Sequence, residues 1–155
     1  ITGGKWTPYR KMAEDVIDHA ELIGTLDHRL CATHELAVHG STADSIGPEH
    51  FRVYGSDAVG IQSLISADTS LGGLIHPKLE FRRAEGLWHV RHEMARTVED
   101  VLSRRTRALL LNARVSIEAA PVVASLMAAE LQRDQNWIDS QIKSYTELAA
   151  GYVLS

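Results

Sequence analysis

The stretch IDSQIKSYTELAAGY, residues 138–152, decides the fold class because its apolar side chains recur at helical spacing. Five of them follow one another at intervals of three or four residues: Ile138, Ile142, Tyr145, Ala149 and Tyr152. Such a periodicity places one apolar stripe along an α-helix and leaves its other sides polar. We therefore predict a helix here that ends at Gly151 or just beyond it.

The beginning of the chain repeats this pattern. Its apolar stripe consists of Tyr9, Ala13, Val16, Ala20 and Ile23. We expect Thr7 to cap the amino terminus of this first helix, with Pro8 in the first turn and Gly24 at the end. Residues 27–55 then carry scattered glycines and polar side chains, which predicts a long irregular connection.

The middle of the chain contains further helical segments. A short helix is expected to open at Ser56, and a longer helical pattern begins near Arg83. The apolar stripe of the longer pattern consists of Leu87, Val90, Met94, Val98 and Val101. Thr97, with Asp100 three residues later, has the spacing of a capping box. The pattern can therefore be two short helices as well as one long helix.

The remaining signals complete an all-α prediction. Asn112 is expected to cap the next helix, and Pro121 inside that helix predicts a kink or a restart. Residues 51–54 give the only strand signal. We predict a small orthogonal bundle of about five helices with long irregular connections.

The composition excludes several classes of function. The 155 residues carry a formal net charge of −4, which gives no electrostatic reason to expect nucleic acid as a partner. No apolar run reaches the roughly 20 residues of a membrane-spanning helix, and the amino terminus does not have the pattern of a signal peptide. Cys31 is the only cysteine, so we expect an idle or packed thiol in a reducing, cytoplasmic compartment.

The opening residues have the character of an anion site. Gly3 and Gly4 lead into the first predicted helix, so several backbone N–H groups can point at one place near its positive end. Lys5 adds a full positive charge. Such a site suits a phosphate or the electron-rich edge of a cofactor ring. An ordinary turn before a helix has the same pattern, and Trp6 can either cover a site or staple the helix start.

Two separated stretches resemble one enzyme family. Residues 3–10, GGKWTPYR, are similar to the GGK-x-T-T-Y-R motif of FAD-dependent glycerol-3-phosphate dehydrogenases and the related oxidases. Residues 90–107, VRHEMARTVEDVLSRRTR, resemble the signature of that family's C-terminal helical domain, and residues 112–113 and 118–123 continue it. Two motifs in the expected order are more specific than either alone.

The resemblance implies a division of the chain and a cofactor contact. Residues 1–10 would be the tail end of an FAD-binding domain, and residues 8–155 the C-terminal helical domain of a larger protein. Cofactor contacts are implied for Gly3, Gly4, Lys5, Trp6 and Thr7. Lys5 would lie near the substrate phosphate or the flavin. The family usually has threonine where this chain has Pro8, so a hydroxyl contact from that position is lost.

The resemblance also implies a reaction and its partners. In this family FAD oxidises glycerol 3-phosphate to dihydroxyacetone phosphate, and the electrons pass to a membrane quinone or to oxygen. The implied partners are the parent's own FAD-binding domain, the substrate and quinone, with no nucleic acid. A homodimer and a peripheral contact with the cytoplasmic face of the membrane stay open. Because no G-x-G-x-x-G follows a strand, we expect the isolated chain to hold no FAD and to be inactive.

The histidines and tryptophans have less specific interpretations. His89, His92 and Glu93 can share one helix face, but zinc sites usually need three or four converging ligands. Because the spacing indicates no further ligand, we expect no metal. Trp88 and Trp137 are expected to pack between helices.

The arginines of residues 91–107 alternate with acidic residues, which predicts an ion-pair network. Arg96 and Asp100 are spaced to pair across one helical turn. We expect the group Arg96, Arg104 and Arg105 to lie where the bundle docks on the missing domain. Two other functions stay open on the residues alone. They are a stand-alone helical interaction module and a helix-turn-helix DNA binder built on residues 97–110.

Overall fold

A computed structural model describes residues 3–44 and 47–153. The chain divides into two compact units, Ile1–Ser41 and Thr42–Ser155. Over the described ranges the regular structure is helical, and the only β-type pairing is an isolated antiparallel bridge between Leu74 and Arg82. None of these helices is long and apolar enough to cross a lipid bilayer. The predicted all-α class is confirmed.

The first unit contains one α-helix, α1, Tyr9–Gly24. Pro8 occupies the N-cap position, and among the described residues no side chain caps the first turn. The prediction that Thr7 is the cap is therefore wrong, because the helix begins one residue later than expected. The helix ends at Gly24 as predicted, where Thr25 takes a left-handed conformation with φ 51°.

The irregular connection predicted for residues 27–55 is confirmed only in part. Residues 25–44 form turns and bends, whereas a 3₁₀-helix, Glu49–Asp57, occupies the end of the predicted range. The strand signal in this segment is wrong for a geometric reason. Phe51 and Tyr54 are three residues apart, so they lie on one side of a 3₁₀-helix, and Phe51 is buried there.

The next helix, α2, Ala58–Ala67, confirms the short helix expected from residue 56 onward. Ile61 on its buried face packs in a core cluster with Phe51. A short 3₁₀-turn, Thr69–Gly72, follows. The backbone then passes through the bridge described above to the start of the third helix.

Two helical segments replace the single long pattern that was one of the alternatives. They are α3, Arg83–His92, and a stretch that ends in a π-helix, Asp100–Arg105. Thr97 and Asp100 form the expected capping box: the Asp100 N–H donates to the Thr97 hydroxyl oxygen at 3.1 Å, and the Thr97 N–H donates to the Asp100 carboxylate at 2.9 Å. Met94 does not belong to the apolar stripe. It lies between the two segments with φ 55° and is 77% exposed.

Three helices complete the second unit: α4, Ala108–Leu111, α5, Ala113–Leu131, and α6, Gln135–Ala150. Asn112 caps α5 as predicted, since its side chain accepts the N–H of Val115 at 3.1 Å. The carboxyl-terminal end of α6 at Ala150, followed by a C-cap residue at position 151, also confirms the prediction.

Pro121 does not restart α5. The helix continues from Ala113 to Leu131 across the proline, although a proline inside a helix removes one hydrogen bond and costs about 3 kcal/mol. The flanking residues Ala119, Ala120, Val123 and Ala124 are fully buried. Packing on both sides of the proline therefore offsets the local cost, and the predicted restart is wrong.

Two clusters of buried side chains form the core of the second unit. The larger one includes Met127 of α5 and Tyr145 of α6, with Trp137 packed against it. The smaller one lies around Ile61, with Trp88 packed against it. Both tryptophans therefore pack between helices, as predicted.

Candidate functional site

The glycine pair at the start of the chain has a backbone that other residues avoid. Gly3 has φ 87° and Gly4 has φ 96°, in the range where a side chain is strained. A Cβ atom on Gly4 would also overlap the side chain of Met12. The entry of the chain into α1 therefore depends on glycine at these positions.

An open groove runs along the first unit beside the glycine pair. Its volume is about 690 Å³, and its lining consists of residues 3–6 and one side of α1 from Tyr9 to Ile17. Apart from Lys5, the side chains that line it are apolar or aromatic. Concave, mostly apolar surfaces of this size with a few polar groups are typical of small-molecule sites.

The groove brings together four of the five residues predicted to contact a cofactor: Gly3, Gly4, Lys5 and Trp6. Thr7 is not part of its lining. The Trp6 ring stacks on the Tyr9 ring with 5.3 Å between the centroids. This stack joins Trp6 to the first residue of α1, so the ring lies at the helix start. Because Trp6 stays 85% exposed, its contact with a cofactor remains a prediction.

A polar cluster occupies the neighbouring side of α1. The Arg10 guanidinium donates to the Glu14 carboxylate at 2.7 Å and to the Thr33 hydroxyl at 3.2 Å. The ring of His34 lies 3.3 Å from the same carboxylate. Hydrogen bonds from Lys11 and then Arg10 lower the pKa of Glu14 to about 2. The cluster therefore holds an ionised Glu14 and attaches the segment around Thr33 to this side of the helix.

Cys31 belongs to this polar cluster. Its Sγ lies 3.0 Å from the Thr33 hydroxyl and 3.9 Å from the Arg10 guanidinium. The thiol is free and half-buried.

The predicted ion-pair network is present, but with a different pairing. Asp100 pairs with Arg104 at 3.0 Å, and Glu99 pairs with the same guanidinium at 2.6 Å. Arg96 contributes only its backbone N–H to Asp100, while its side chain donates to the carbonyl oxygens of Val90 and Ala95. The prediction that the Arg96 side chain pairs with Asp100 is therefore wrong, because the capping box turns that carboxylate toward the backbone.

Arg105 bonds within the same unit. Its guanidinium donates to the backbone carbonyl of Glu93 and lies 3.7 Å from the Glu93 carboxylate. Burial raises the pKa of Glu93, and the positive charge of Arg105 partly offsets this rise. Of the three arginines predicted to dock on another domain, Arg96 and Arg104 are exposed, the latter with its side chain 51% exposed, and Arg105 is half-buried. Their docking role remains a prediction.

The histidine pair of α3 does not converge on one point. His92 stacks on Trp88 with 3.9 Å between the centroids, whereas His89 is 1% exposed and its Nε2 lies 2.9 Å from the Tyr54 hydroxyl. Over residues 3–44 and 47–153, no group of three or more His, Cys, Asp or Glu side chains could hold a metal ion.

A buried polar cluster that the sequence did not indicate connects the 3₁₀-helix to α3. The Tyr54 hydroxyl donates to Oε1 of Glu85 at 3.0 Å, and the N–H of Arg82 donates to Oε2 at 2.6 Å. His50 lies 3.4 Å from Oε2. Burial raises the pKa of Glu85, and the Arg82 and Tyr54 hydrogen bonds partly offset this effect. Burial also raises the pKa of Tyr54, so its phenol keeps its proton.

The proton of His89 can be placed from its surroundings. Burial lowers the pKa of His89 to about 3, so the ring is neutral at ordinary pH. Within the described ranges its Nδ1 has no hydrogen-bond partner, and a buried N–H without an acceptor is costly. The proton therefore sits on Nε2, which donates to Tyr54, while Tyr54 donates to Glu85.

Sequence reasoning missed this cluster because its members lie far apart along the chain. Tyr54 precedes Glu85 by 31 residues and His89 by 35. One local signal was available: Glu85 stands three residues after Arg82, the spacing at which a glutamate bonds the N-cap N–H. The residue at position 82 is not serine or threonine, so the usual capping-box pattern is incomplete.

Comparison with known protein families shows which family the chain belongs to. A family described as the C-terminal domain of alpha-glycerophosphate oxidase matches residues 3–137, from the glycine pair into α6. The chain belongs to this family. The resemblance predicted from residues 3–10 and 90–107 is thereby confirmed.

Curated relatives of this family are similar along almost the whole chain. The mitochondrial glycerol-3-phosphate dehydrogenase of Mesocricetus auratus is 30% identical over 168 residues, which cover 96% of this chain and 22% of the relative. The enzyme of that name from Bos taurus is 30% identical and the one from Homo sapiens 29% identical, each covering 99% of this chain and 23% of the relative. This chain thus spans less than a quarter of the length of these relatives. No solved structure gives a significant match.

The helix-turn-helix hypothesis does not agree with the geometry of residues 97–110. The π-helix, Asp100–Arg105, is followed by Arg107 in a left-handed conformation and by α4, which has four residues. A recognition helix needs several turns to lie in a major groove. The recognition helix suggested by the sequence is therefore not formed.

Proposed function

We propose that this chain is the C-terminal part of a flavoenzyme that oxidises glycerol 3-phosphate to dihydroxyacetone phosphate. The family match carries the proposal, because it begins at the glycine pair that the motif places against a flavin. The relatives named glycerol-3-phosphate dehydrogenase support the substrate. In this proposal the electrons pass through FAD to a quinone.

The first unit is compatible with a flavin contact. Its groove is open, mostly apolar and flanked by two aromatic rings, so a planar ring system can lie against it. When bound, FAD supplies the redox chemistry by accepting a hydride equivalent from the substrate. Gly3 lets the backbone approach the ring closely, since a Cβ atom there would have open space around it, and Gly4 carries no side chain of its own.

Lys5 has the main electrostatic role in this proposal. It lines the groove next to the amino terminus of α1, where the helix dipole adds a partial positive charge. Together these charges favour negative charge on a reduced flavin or on the substrate phosphate. Trp6 would flank the ring, and Thr7 would contribute only through the backbone, because it does not line the groove.

The helical bundle has a structural role in this proposal. Residues 1–10 are the last piece of the flavin-binding domain, and residues 8–155 form the C-terminal helical domain that covers it. Arg96, Arg104 and Arg105 lie at the surface that docks on that domain. The isolated chain is inactive, because FAD and most substrate-binding residues belong to the rest of the parent.

The proposed location follows from the electron acceptor. A quinone is dissolved in the bilayer, so the parent has to meet a membrane. In this proposal it is a cytoplasmic protein that does so peripherally, at the cytoplasmic face. A homodimer is compatible with this arrangement. Cell fractionation with and without high salt tests the location, since a peripheral protein is released from membranes by salt.

The direct test of the function uses the full-length parent. Wild type should be yellow and should reduce a dye with glycerol 3-phosphate, and Lys5→Ala should lose most of this activity while staying folded. Lys78→Ala, an exposed lysine in the second unit, is the matched control and should keep wild-type activity. A parent that binds no flavin would instead favour a stand-alone helical interaction module.

A further inference from the structure

The two glycines that precede α1 have different surroundings. Both have a positive φ, 87° at Gly3 and 96° at Gly4. A Cβ atom on Gly3 would meet no atom of the described residues within 4 Å, whereas one on Gly4 would overlap Sδ of Met12 and lie 2.7 Å from its Cε. The thioether of Met12 therefore occupies the place that a side chain on Gly4 would need.

The direction of helical side chains explains this contact. The Cα–Cβ bonds of a helix tilt toward its amino terminus, so a long side chain near the helix start reaches back toward the residues that precede it. Met12 closes the first turn, since its N–H donates to the carbonyl oxygen of Pro8 at 2.9 Å. Methionine is unbranched and has three rotatable bonds, which lets it follow an irregular backbone. The contact therefore joins Gly4 to the start of α1.

Lys5 lies between two contacts of this kind. On one side of it, Gly4 packs on the Met12 thioether. On the other side, the Trp6 ring stacks on the Tyr9 ring with 5.3 Å between the centroids. Both contacts attach the backbone next to Lys5 to the first turn of α1, so the place of Lys5 along the groove depends on them.

A glycine needs such an anchor more than other residues do. The groups of a binding site have to be held within about 0.5 Å of the productive geometry, which requires packing behind them. Glycine has no side chain with which to pack, and its backbone has the largest conformational freedom. At Gly4 the Met12 thioether supplies this packing from another part of the chain.

We infer that Met12 is a positioning residue for the flavin contact, because its thioether holds the backbone at Gly4 and thereby sets the place of Lys5. This inference rests on the proposed function, which supplies the flavin. Met12 acts through Gly4 in this assignment. Without the thioether, Lys5 and the helix dipole should stabilise negative charge on a reduced flavin less well, because their positions are no longer fixed.

The test compares two substitutions of Met12 in the full-length, flavin-loaded parent. Alanine is the strongest helix former, so Met12→Ala removes the thioether without weakening α1 through helix propensity. Met12→Leu keeps a similar volume and places a methyl carbon where methionine has its sulfur, so it should restore most of the contact. Met94→Ala is the control for the loss of a methionine in the second unit. The midpoint potential of the bound flavin and the thermal unfolding temperature are measured for each protein.

Met12→Ala should weaken the binding of reduced flavin about tenfold more than that of oxidised flavin, since the stabilised negative charge is on the reduced form. For a two-electron couple this difference lowers the midpoint potential by about 30 mV. Met12→Leu and Met94→Ala should have midpoint potentials close to that of wild type.

A purely structural role for Met12 gives a different result. An unchanged midpoint potential in Met12→Ala, with or without a lower unfolding temperature, would overturn the inference, and a yellow, active wild type would leave the proposed function intact. A wild-type parent that binds no flavin would refute the proposed function and this inference together.

Discussion

The hydroxyl of Tyr54 lies 3.0 Å from Oε1 of Glu85, and this hydrogen bond fastens the 3₁₀-helix to the first turn of α3. Glu85 is 1% exposed, so the phenol is one of the few groups that can satisfy its carboxylate. The oxygen of the same hydroxyl accepts a hydrogen bond from the N–H at Nε2 of His89, with 2.9 Å between the two atoms. One side chain thus satisfies two buried polar groups that come from a different helix.

Tyr54→Phe should therefore destabilise the second unit by about 1–3 kcal/mol, the usual cost of leaving buried polar atoms without partners. Urea unfolding followed by circular dichroism measures this loss. Tyr152→Phe is the matched control, because Tyr152 is 54% exposed, and it should change stability by less than about 0.5 kcal/mol. Equal stabilities for the two variants would show that the Tyr54 hydroxyl does not hold the cluster together.

Gly60 allows α2 to approach Trp88 closely. A Cβ atom on Gly60 would overlap the indole ring, so Gly60→Ala should force the ring to shift. Overpacking of this kind costs about 1–3 kcal/mol, which outweighs the gain of about 1 kcal/mol from replacing glycine in a helix. Thermal unfolding should show the net loss. Ser63→Ala on the exposed side of the same helix should be close to neutral.

Local patterns predicted most of the helices because each depends on neighbours in sequence. The stripe of residues 138–152 and the cap at Asn112 are examples, and both are present in α6 and α5. The failures occur where packing opposes a local rule. Pro121 lies inside a continuous helix because both sides are buried, and Met94 leaves its stripe because the chain turns there with φ 55°.

The candidate site was predictable only as far as its motif reaches. Gly3, Gly4 and Lys5 were identified from their order in the sequence, and they line one groove. The ion-pair partners of the arginines were not predictable, because Asp100 has one arginine four residues before it, Arg96, and another four residues after it, Arg104. The choice depends on the capping box with Thr97, which directs the Asp100 carboxylate toward the backbone of Arg96.

The buried histidine predicts a specific dependence of stability on pH. The pKa of His89 is about 3 in the folded state, below its ordinary value of 6.5, so between these values the unfolded chain binds a proton that the folded chain does not. Its contribution to stability is therefore complete above about pH 6.5 and is lost as the pH falls toward 3. The slope is at most about 1.4 kcal/mol per pH unit.

Glu85 acts in the opposite direction. Its pKa is raised by burial, so it favours the folded state at low pH, and this contribution is lost as the pH rises above its unfolded value. Urea unfolding between about pH 5 and 8 of wild type, His89→Gln and the control His19→Gln separates the two effects. His89→Gln should flatten the fall of stability below about pH 6.5, whereas His19→Gln, an exposed residue of α1, should keep the wild-type slope. Identical slopes for all three would contradict a neutral, buried His89.

Replacing Arg104 can distinguish an ion pair within the second unit from a contact with another domain. Its side chain is 51% exposed and pairs with Glu99 and Asp100 at 2.6 and 3.0 Å. Exposed pairs contribute about 0–1 kcal/mol, so Arg104→Ala should cost little in the isolated chain. If Arg104 docks on the preceding domain, the same substitution in the full-length parent should cost about 1 kcal/mol more, because a contact between domains is lost as well.

The control is an exposed arginine that forms an ion pair as Arg104 does but lies outside the arginine group. Arg52 serves this purpose, since its side chain is 64% exposed and lies 2.7 Å from Glu49. Arg52→Ala should have the same small effect in the isolated chain and in the parent. The thermal unfolding temperature of each variant is compared with that of wild type, both in the isolated chain and in the parent. If Arg104 docks on the preceding domain, Arg104→Ala lowers this temperature more in the parent than in the isolated chain, whereas Arg52→Ala has the same effect in both. If the effect of Arg104→Ala in the parent stays as small as that of Arg52→Ala, the Arg104 side chain stabilises only its own unit and makes no contact with the preceding domain.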